Sequence, residues 1–234
     1  VTVAGLYATQ FNDWLSVGTP LTPLVIGDYT SSLVLQGDGS YGIGTLQGMK
    51  DMLGFAGDPA GYNFSLTGTL DLATLPGFYV PKLAGGFNGN NFTLSNLNIN
   101  LPNYDMGLFG VTSTTSQVIN LNLLNARASG YGSVGALVGR NFGNIDTVSV
   151  AVNATNGISS VSGSAGGLVG SNNGGSYFTG TGTTYQQIFT GSISNSYVTG
   201  GTVSSGNNDV GGLVGYNGTG NITASHVGNT AVSG

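Results

Sequence analysis

Four stretches of the chain share one pattern: "MGLFGVTSTTSQVINLNLLNA" from Met106, "GALVGRNFGNIDTVSVAV" from Gly135, "GGLVGSNNGG…SISNSYVTGGTV" from Gly166 and "GGLVGYNGTGNITASHVGNTAV" from Gly211. Each reads as a short apolar strand, a Gly/Asn-rich turn, a second strand and a polar turn. The third carries an insertion, "SYFTGTGTTYQQIFTG", residues 176–191. Ile119, Ile145, Ile193 and Ile222 align in one column, and Leu124, Val150, Val198 and Val227 in another five residues on. Apolar columns recurring at this period predict stacked units, each burying its face only against its neighbours. The β-branched columns suit a pleated, buried surface. Glycine serves the turns and the close approach of backbone to backbone. No 3.6-residue stripe survives the glycines, so helices are not expected within the repeats. The chain is therefore read as all-β, a solenoid.

Glycine contributes 43 of 234 residues and charged residues only 6%, against usual shares of about 7% and about 25%. Such glycine content could signal disorder. The 63 Leu, Ile, Val and Phe side chains exceed the share of about 20% below which chains stay disordered. The nine acidic residues are all Asp, and Lys50, Lys82, Arg127 and Arg140 are the only strong cations. A net charge of −5 with four scattered cations gives no basic patch for nucleic acid and none for anionic membranes. There is no Cys, hence no disulfide framework or thiolate metal site. No apolar run reaches the length of about 18 residues that a membrane-spanning helix needs. The start, "VTVAGLYATQ", lacks the pattern of an intact signal peptide. The low charge, missing Cys and abundant Gly, Asn, Ser and Thr resemble Gram-negative extracellular passenger proteins.

The phrases "GGLVGYN…ITASHV" and "GGLVG…ISNSYVTGGTV" resemble the GLUG motif of large exported bacterial proteins. Upstream, "SYGIGTLQGMKDML…YNFSLTGTLDLA" followed by "GGFNGNNFTLSNLNINLPNYDMGLFG" resembles the segment that commonly precedes those repeats. The resemblance covers residues 40 to 234 and departs from the family where an acidic residue often stands before the Gly-Asn turn; here Phe87 follows Gly86. It implies a right-handed parallel β-helix, as in secreted adhesins, filamentous-haemagglutinin-like exoproteins and some surface proteases. It carries no catalytic residues to transfer.

Three regions are expected: 1–40 as an N-terminal cap, earlier coils or an assembly segment; 41–105 as a pre-repeat β region with a short flanking helix; and 106–234 as the repeats. The helix is expected over residues 46–55, where Leu46, Met49, Met52 and Leu53 form one stripe. In "FTLSNLNINL", residues 92–101, alternation slips at Ser95–Asn96, which predicts a turn or bulge between two strands. Residues 1–40 hold Trp14 beside Phe11 and Leu15. They would cover a strand edge of the solenoid, or offer "PLVIG" or "SSLVLQ" to another chain.

Chemistry-bearing motifs are sparse. His226, the only histidine, aligns with Tyr197, Ser149 and Leu123, a position of loose demand, so it reads as structural or solvent-facing. "GDGSYG", residues 37–42, matches G-x-G-x-x-G but precedes a strand-like "YGIGT", so a turn is expected rather than a nucleotide site. Calcium-binding nonapeptides do not recur, and Asp146 and Asp209 lie at different repeat positions. Asp105, Asp146 and Asp209 have no carboxylate partner nearby in sequence, as acid/base hydrolysis of glycans would need. Thr in "TGTGTTY" (179–185) and "TSTTS" (112–116) forms no recurring column for ice or crystal binding. Tyr131, Tyr177, Tyr185, Tyr197 and Tyr216 could stack on sugars, but edge packing is the plainer reading.

The expectation is thus a secreted bacterial surface adhesin or structural rod, non-catalytic, extracellular or on the cell surface, with no cofactor, metal, catalytic residue, nucleic-acid partner or membrane insertion. Its partner would be a host or matrix glycan or protein. The alternative is a subunit of a self-assembling extracellular fibre, joined through the N-terminal segment or the solenoid ends. A β-helix polysaccharide-active enzyme is the third reading.

Overall fold

A computed structural model describes residues 26–178, 185–206 and 209–234. The repeats form parallel ladders in which each chain segment pairs with its counterpart one unit away. One ladder stacks Val80–Leu83, Phe109–Thr112, Val138–Asn141, Val169–Asn172 and Val214–Asn217, all parallel. A second stacks Asp105–Met106, Ser133–Gly135, Ala165–Gly166 and Val210–Gly211. The largest sheet runs through Gln117–Gly130 and Asn144–Val152, paired over most of their length. The fold is therefore β-rich with parallel sheets, and its repeat-like stacking fits a solenoid in general terms.

The register corrects the first repeat by one residue. Val118, not Ile119, pairs with Ile145, and that column continues through Ile193 and Ile222. Likewise Leu123, not Leu124, pairs with Val150, Val198 and Val227. The turn Ser113–Ser116 is longer than its counterpart at Phe142–Gly143, and "VINLNLL" offers apolar residues at adjacent positions. Burial decides between them: Val118 and Leu123 are buried, Ile119 is half-buried and Leu124 is exposed. A one-residue slip would exchange the two faces. For the same reason His226 shares its column with Tyr197, Ser149 and Asn122, not Leu123.

The expected slip at Ser95–Asn96 is a corner. Thr93–Ser95 and Asn98–Asn100 are separate strands, and Asn96 between them has φ 58°. Such corners recur. Asn120, Thr147, Asn195 and Ala224 follow one another through the stack at positive φ, and Asn125, Gly200 and Asn229 mark the next bend. Asparagine tolerates this left-handed region better than other side chains bearing a Cβ. Asparagine thus holds most of the bends expected of glycine. The glycines of the repeat phrase act by close approach: a Cβ on Gly166 would collide with the carbonyl of Val169.

The helix spans Leu46–Met52, with Thr45 accepting from the Gly48 amide as N-cap. It buries Met49 and Met52 with Ile26, Leu33 and Ile43. Leu33–Leu35 pairs antiparallel with Tyr41–Ile43. "SSLVLQ" is therefore bound within the chain along one edge, while Val34 and Leu35 remain exposed. Trp14, Phe11, Leu15 and most of "PLVIG" lie outside the described residues. In the insertion, Gly174–Phe178 and Tyr185–Thr190 form an antiparallel hairpin that leaves the stack and returns.

Candidate functional site

The polar groups of the stack are organised as ladders. The repeat phrase ends in Asn at positions 141, 172 and 217, which pair in register with one another and with Thr112. Thr112 Oγ1 donates to Asn141 Oδ1 at 2.7 Å, Asn141 Nδ2 to Asn172 Oδ1 at 2.8 Å and Asn172 Nδ2 to Asn217 Oδ1 at 3.0 Å. Asn141 and Asn172 are fully buried. Each amide spends its other N–H on a carbonyl of its own turn: Gly143, Gly191 and Gly220. The sequence displays this ladder as "LVGRN", "LVGSN" and "LVGYN", but sequence reasoning weighed only the apolar columns. A second ladder lies outside. Asn96 donates to Asp71, Asn125 to Asn96 and Asn153 to Asn125, at 2.6–2.7 Å.

The residues that could carry chemistry stay apart. His226 is exposed and stacks on Tyr197, ring centroids 5.4 Å apart and planes 10° from parallel. Asp105 and Asp209 occupy one column, with Ser133 and Ser164 between them. Three rungs at about 4.8 Å each hold them about 14 Å apart, too far for paired carboxylates. Asp146 faces outward on another sheet beside Ile119 and Ser194. Hydrogen bonds from Ser194 and Asn195, with a further one from Thr147, hold its carboxyl below the usual range. Asp105 is the opposite case. Burial pushes its carboxyl up, against the pull of Arg140, whose Nη2 lies 3.1 Å from Oδ1. That contact is an ion pair without an aligned hydrogen bond, so Oδ1 is buried and unbonded.

"GDGSYG" forms the turn between two antiparallel strands, with Gly39 at φ 84°, and does not open a helix. Among the described residues no group of three His, Cys, Asp or Glu gathers to hold a metal ion. Nor is any helix among them long and apolar enough to cross a membrane. Tyr131 is exposed and tilted against Tyr104, which sequence reasoning did not single out, with centroids 6.1 Å apart. Tyr216 is also exposed. "TSTTS" is a turn, and "TGTGTTY" lies almost wholly outside the described residues.

No family model matches the chain. It is 33% identical over 146 residues to a protein of Evansella cellulosilytica named "Putative Gly-rich membrane protein". That alignment takes in 54% of this chain and 17% of the relative. Among solved structures, it is similar to a "putative immunoglobulin A1 protease" from Bacteroides ovatus, with a TM-score of 0.55 and 18% identity. The likeness covers 81% of this chain and 65% of the other, and at this identity it speaks to the fold alone. The chain thus spans less than two thirds of either protein.

Proposed function

We propose that this chain is a non-catalytic rod segment of an exported bacterial surface protein. It winds as a right-handed parallel β-helix of the GLUG-repeat kind, with residues 26–40 and the helix Leu46–Met52 capping one end. The observation that carries the reading is the unbroken register of like residues through the stack: Phe87, Val118, Ile145, Ile193 and Ile222 in one column, Leu94, Leu123, Val150, Val198 and Val227 in another. Such a stack is rigid, extends by repetition and exposes broad polar faces. The separation of Asp105, Asp146, Asp209 and His226 favours display over turnover. The exposed Tyr104–Tyr131 and Tyr197–His226 pairs are the surfaces on which a host or matrix glycan would stack. The Evansella relative's printed name supports a place at the cell envelope.

The test is a glycan and matrix-protein binding screen, run beside surface labelling of intact source cells. Binding to one ligand class, weakened by Tyr131→Ala or Tyr197→Ala, supports the reading. Turnover of any polysaccharide or protein in the screen, or a chain found only inside cells, overturns it. The second reading, a subunit of a self-assembling fibre, is favoured by the uncovered last unit of the stack. Light scattering over a dilution series with negative-stain images separates the two: regular fibres select the subunit, a monomer at every concentration selects the display rod.

A further inference from the structure

The interior columns lose their cover at the last repeat. Val198 and Val203 are fully buried, whereas Val227 and Val232, stacked directly on them, are 40% and 49% exposed. Leu213, Val214 and Ile222 are likewise only partly covered. The strands Val214–Asn217, Asn221–Thr223, His226–Gly228 and Ala231–Ser233 each pair along one edge only, among the described residues. At the other end Ile26, Leu33, Ile43, Met49 and Met52 close the core.

The buried asparagine ladder gives this open end a direction. Every link donates toward the later repeat: Thr112 to Asn141, Asn141 to Asn172, Asn172 to Asn217. A side-chain amide has two N–H donors. Asn141 and Asn172 use both, one on a local carbonyl and one on the next rung. Asn217 uses one, on Gly220 O, and its second has no acceptor among the described residues.

We propose that the last unit, residues 210–233, is a docking edge for a further parallel β-unit of the same repeat type, one that sets a side-chain oxygen against Asn217. The inference rests on the stacked-rod reading above and continues the unit-on-unit interface already in place. The ladder's polarity selects the partner. A second copy meeting this edge tail to tail would oppose one spare amide donor with another. A unit arriving with its N-terminal-facing edge presents an amide oxygen, as Asn172 does to Asn141 and Asn217 does to Asn172. The joint is therefore head-to-tail and repeatable.

The test extends the full chain with a second copy of residues 206–234 joined after Gly234. The pairing of Ser204 with Ser233 places that junction in register with Ser205. Amide hydrogen exchange at residues 214–217, 221–223, 226–228 and 231–233 is expected to slow at least tenfold relative to the unextended chain. Val227→Lys with Val232→Lys in the original unit should abolish the slowing. Replacing the ladder asparagine of the added copy by Leu, which this column already accepts at Leu83, should reduce it. Unchanged exchange in the extended chain overturns the proposal, as does equal slowing from a scrambled extension of the same composition. The amides of Val118, Ile145 and Ile193 report the stack itself. If they exchange freely in the unextended chain, the rod reading falls as well; if they stay protected, only the docking edge is lost.

Discussion

Asn172→Ala removes the central rung of the buried ladder. Three hydrogen bonds disappear: from Asn141 Nδ2, to Gly191 O and to Asn217 Oδ1. Gly191 O keeps the Asn221 amide as a donor, and Asn217 Oδ1 is exposed enough for water to replace the lost bond. One N–H of Asn141 is left in a fully buried site. At about 0.5–1.5 kcal/mol net per bond, the three amount to about 1.5–4.5 kcal/mol, and the stranded N–H pushes the cost toward the upper part of that range. Asn217→Ala makes the control. It removes two bonds at a solvent-accessible rung, and about 1.5 kcal/mol or less is expected. Guanidinium denaturation reads the difference as a shift in midpoint, provided the slope is unchanged. Hydrogen exchange at Asn141, Phe142 and Gly143 localises it. If Asn172→Ala costs no more than Asn217→Ala, or less than about 0.5 kcal/mol, the ladder does not hold the turns and the reasoning fails.

Thr147 is a β-branched residue at φ 54° in a corner column that Asn120 and Asn195 occupy; Thr147→Asn should stabilise by about 1 kcal/mol, and a lower melting temperature would contradict the account of the corners. Gly166→Ala drives a methyl into the Val169 carbonyl, whereas nothing lies within 4 Å of a methyl on Gly228; the first should cost about 1–3 kcal/mol and the second stay within about 0.5 kcal/mol, and equal costs would remove the close-approach argument. The two perturbed aspartates should show opposite pH signatures in denaturant titrations. Asp105, raised by burial, costs stability once ionised, so Asp105→Asn should help at neutral pH and lose its advantage as pH falls through and below the folded carboxyl's range. Asp146, lowered by its donors, contributes stability above its unfolded value, so Asp146→Asn should harm at neutral pH and cease to matter in acid; matching signs would refute both assignments. Deleting residues 174–190 joins Asn173 to Gly191, whose backbones already hydrogen-bond at 2.8 Å, and recreates the short turn of Asn141–Asn144. Circular dichroism should keep its β signature, and the shorter closure is worth up to about 1.5 kcal/mol; an unfolded product would show that the hairpin holds the stack.

The repeat was the most legible feature. It announced parallel stacking, the hairpin insertion and the corner at Asn96, because period and composition change together at those points. The helix was legible from Leu46, Met49, Met52 and Leu53, although it stops at Met52 rather than at residue 55. The register of the first repeat was not. "VINLNLL" satisfies an apolar column at either of two adjacent positions, and only burial tells Val118 from Ile119. The pairing of His226 with Tyr197 was visible as a shared column, but the parallel rings depend on rotamers that a sequence does not specify. The asparagine ladder was in view and unweighed, because Asn in a Gly-rich phrase reads first as a turn former. Its burial at positions 141 and 172 appears only when neighbouring units close over it.

The composition follows from the architecture without any ligand. In-register parallel stacking sets each side chain about 4.8 Å from its counterpart in the next unit. A charged residue repeated in such a column meets its own sign there, at a cost near 1 kcal/mol per pair in water and several-fold more where the protein screens less. Asn, Ser and Thr escape this, since each both donates and accepts and can bond to its own kind. The Asn96–Asn125–Asn153 and Asn141–Asn172–Asn217 ladders are that solution, and where Asp71 enters a ladder it stands at the end and receives the Asn96 amide. Asp146 likewise sits alone in its column, beside Ile119 on one side and the donating Ser194 on the other. A charge share of 6% with no Glu is thus what a stack of this kind tolerates. It also locates where recognition can be built: in the features that do not repeat, namely the exposed tyrosines, the Asp105–Arg140 pair, the hairpin and the uncovered last unit.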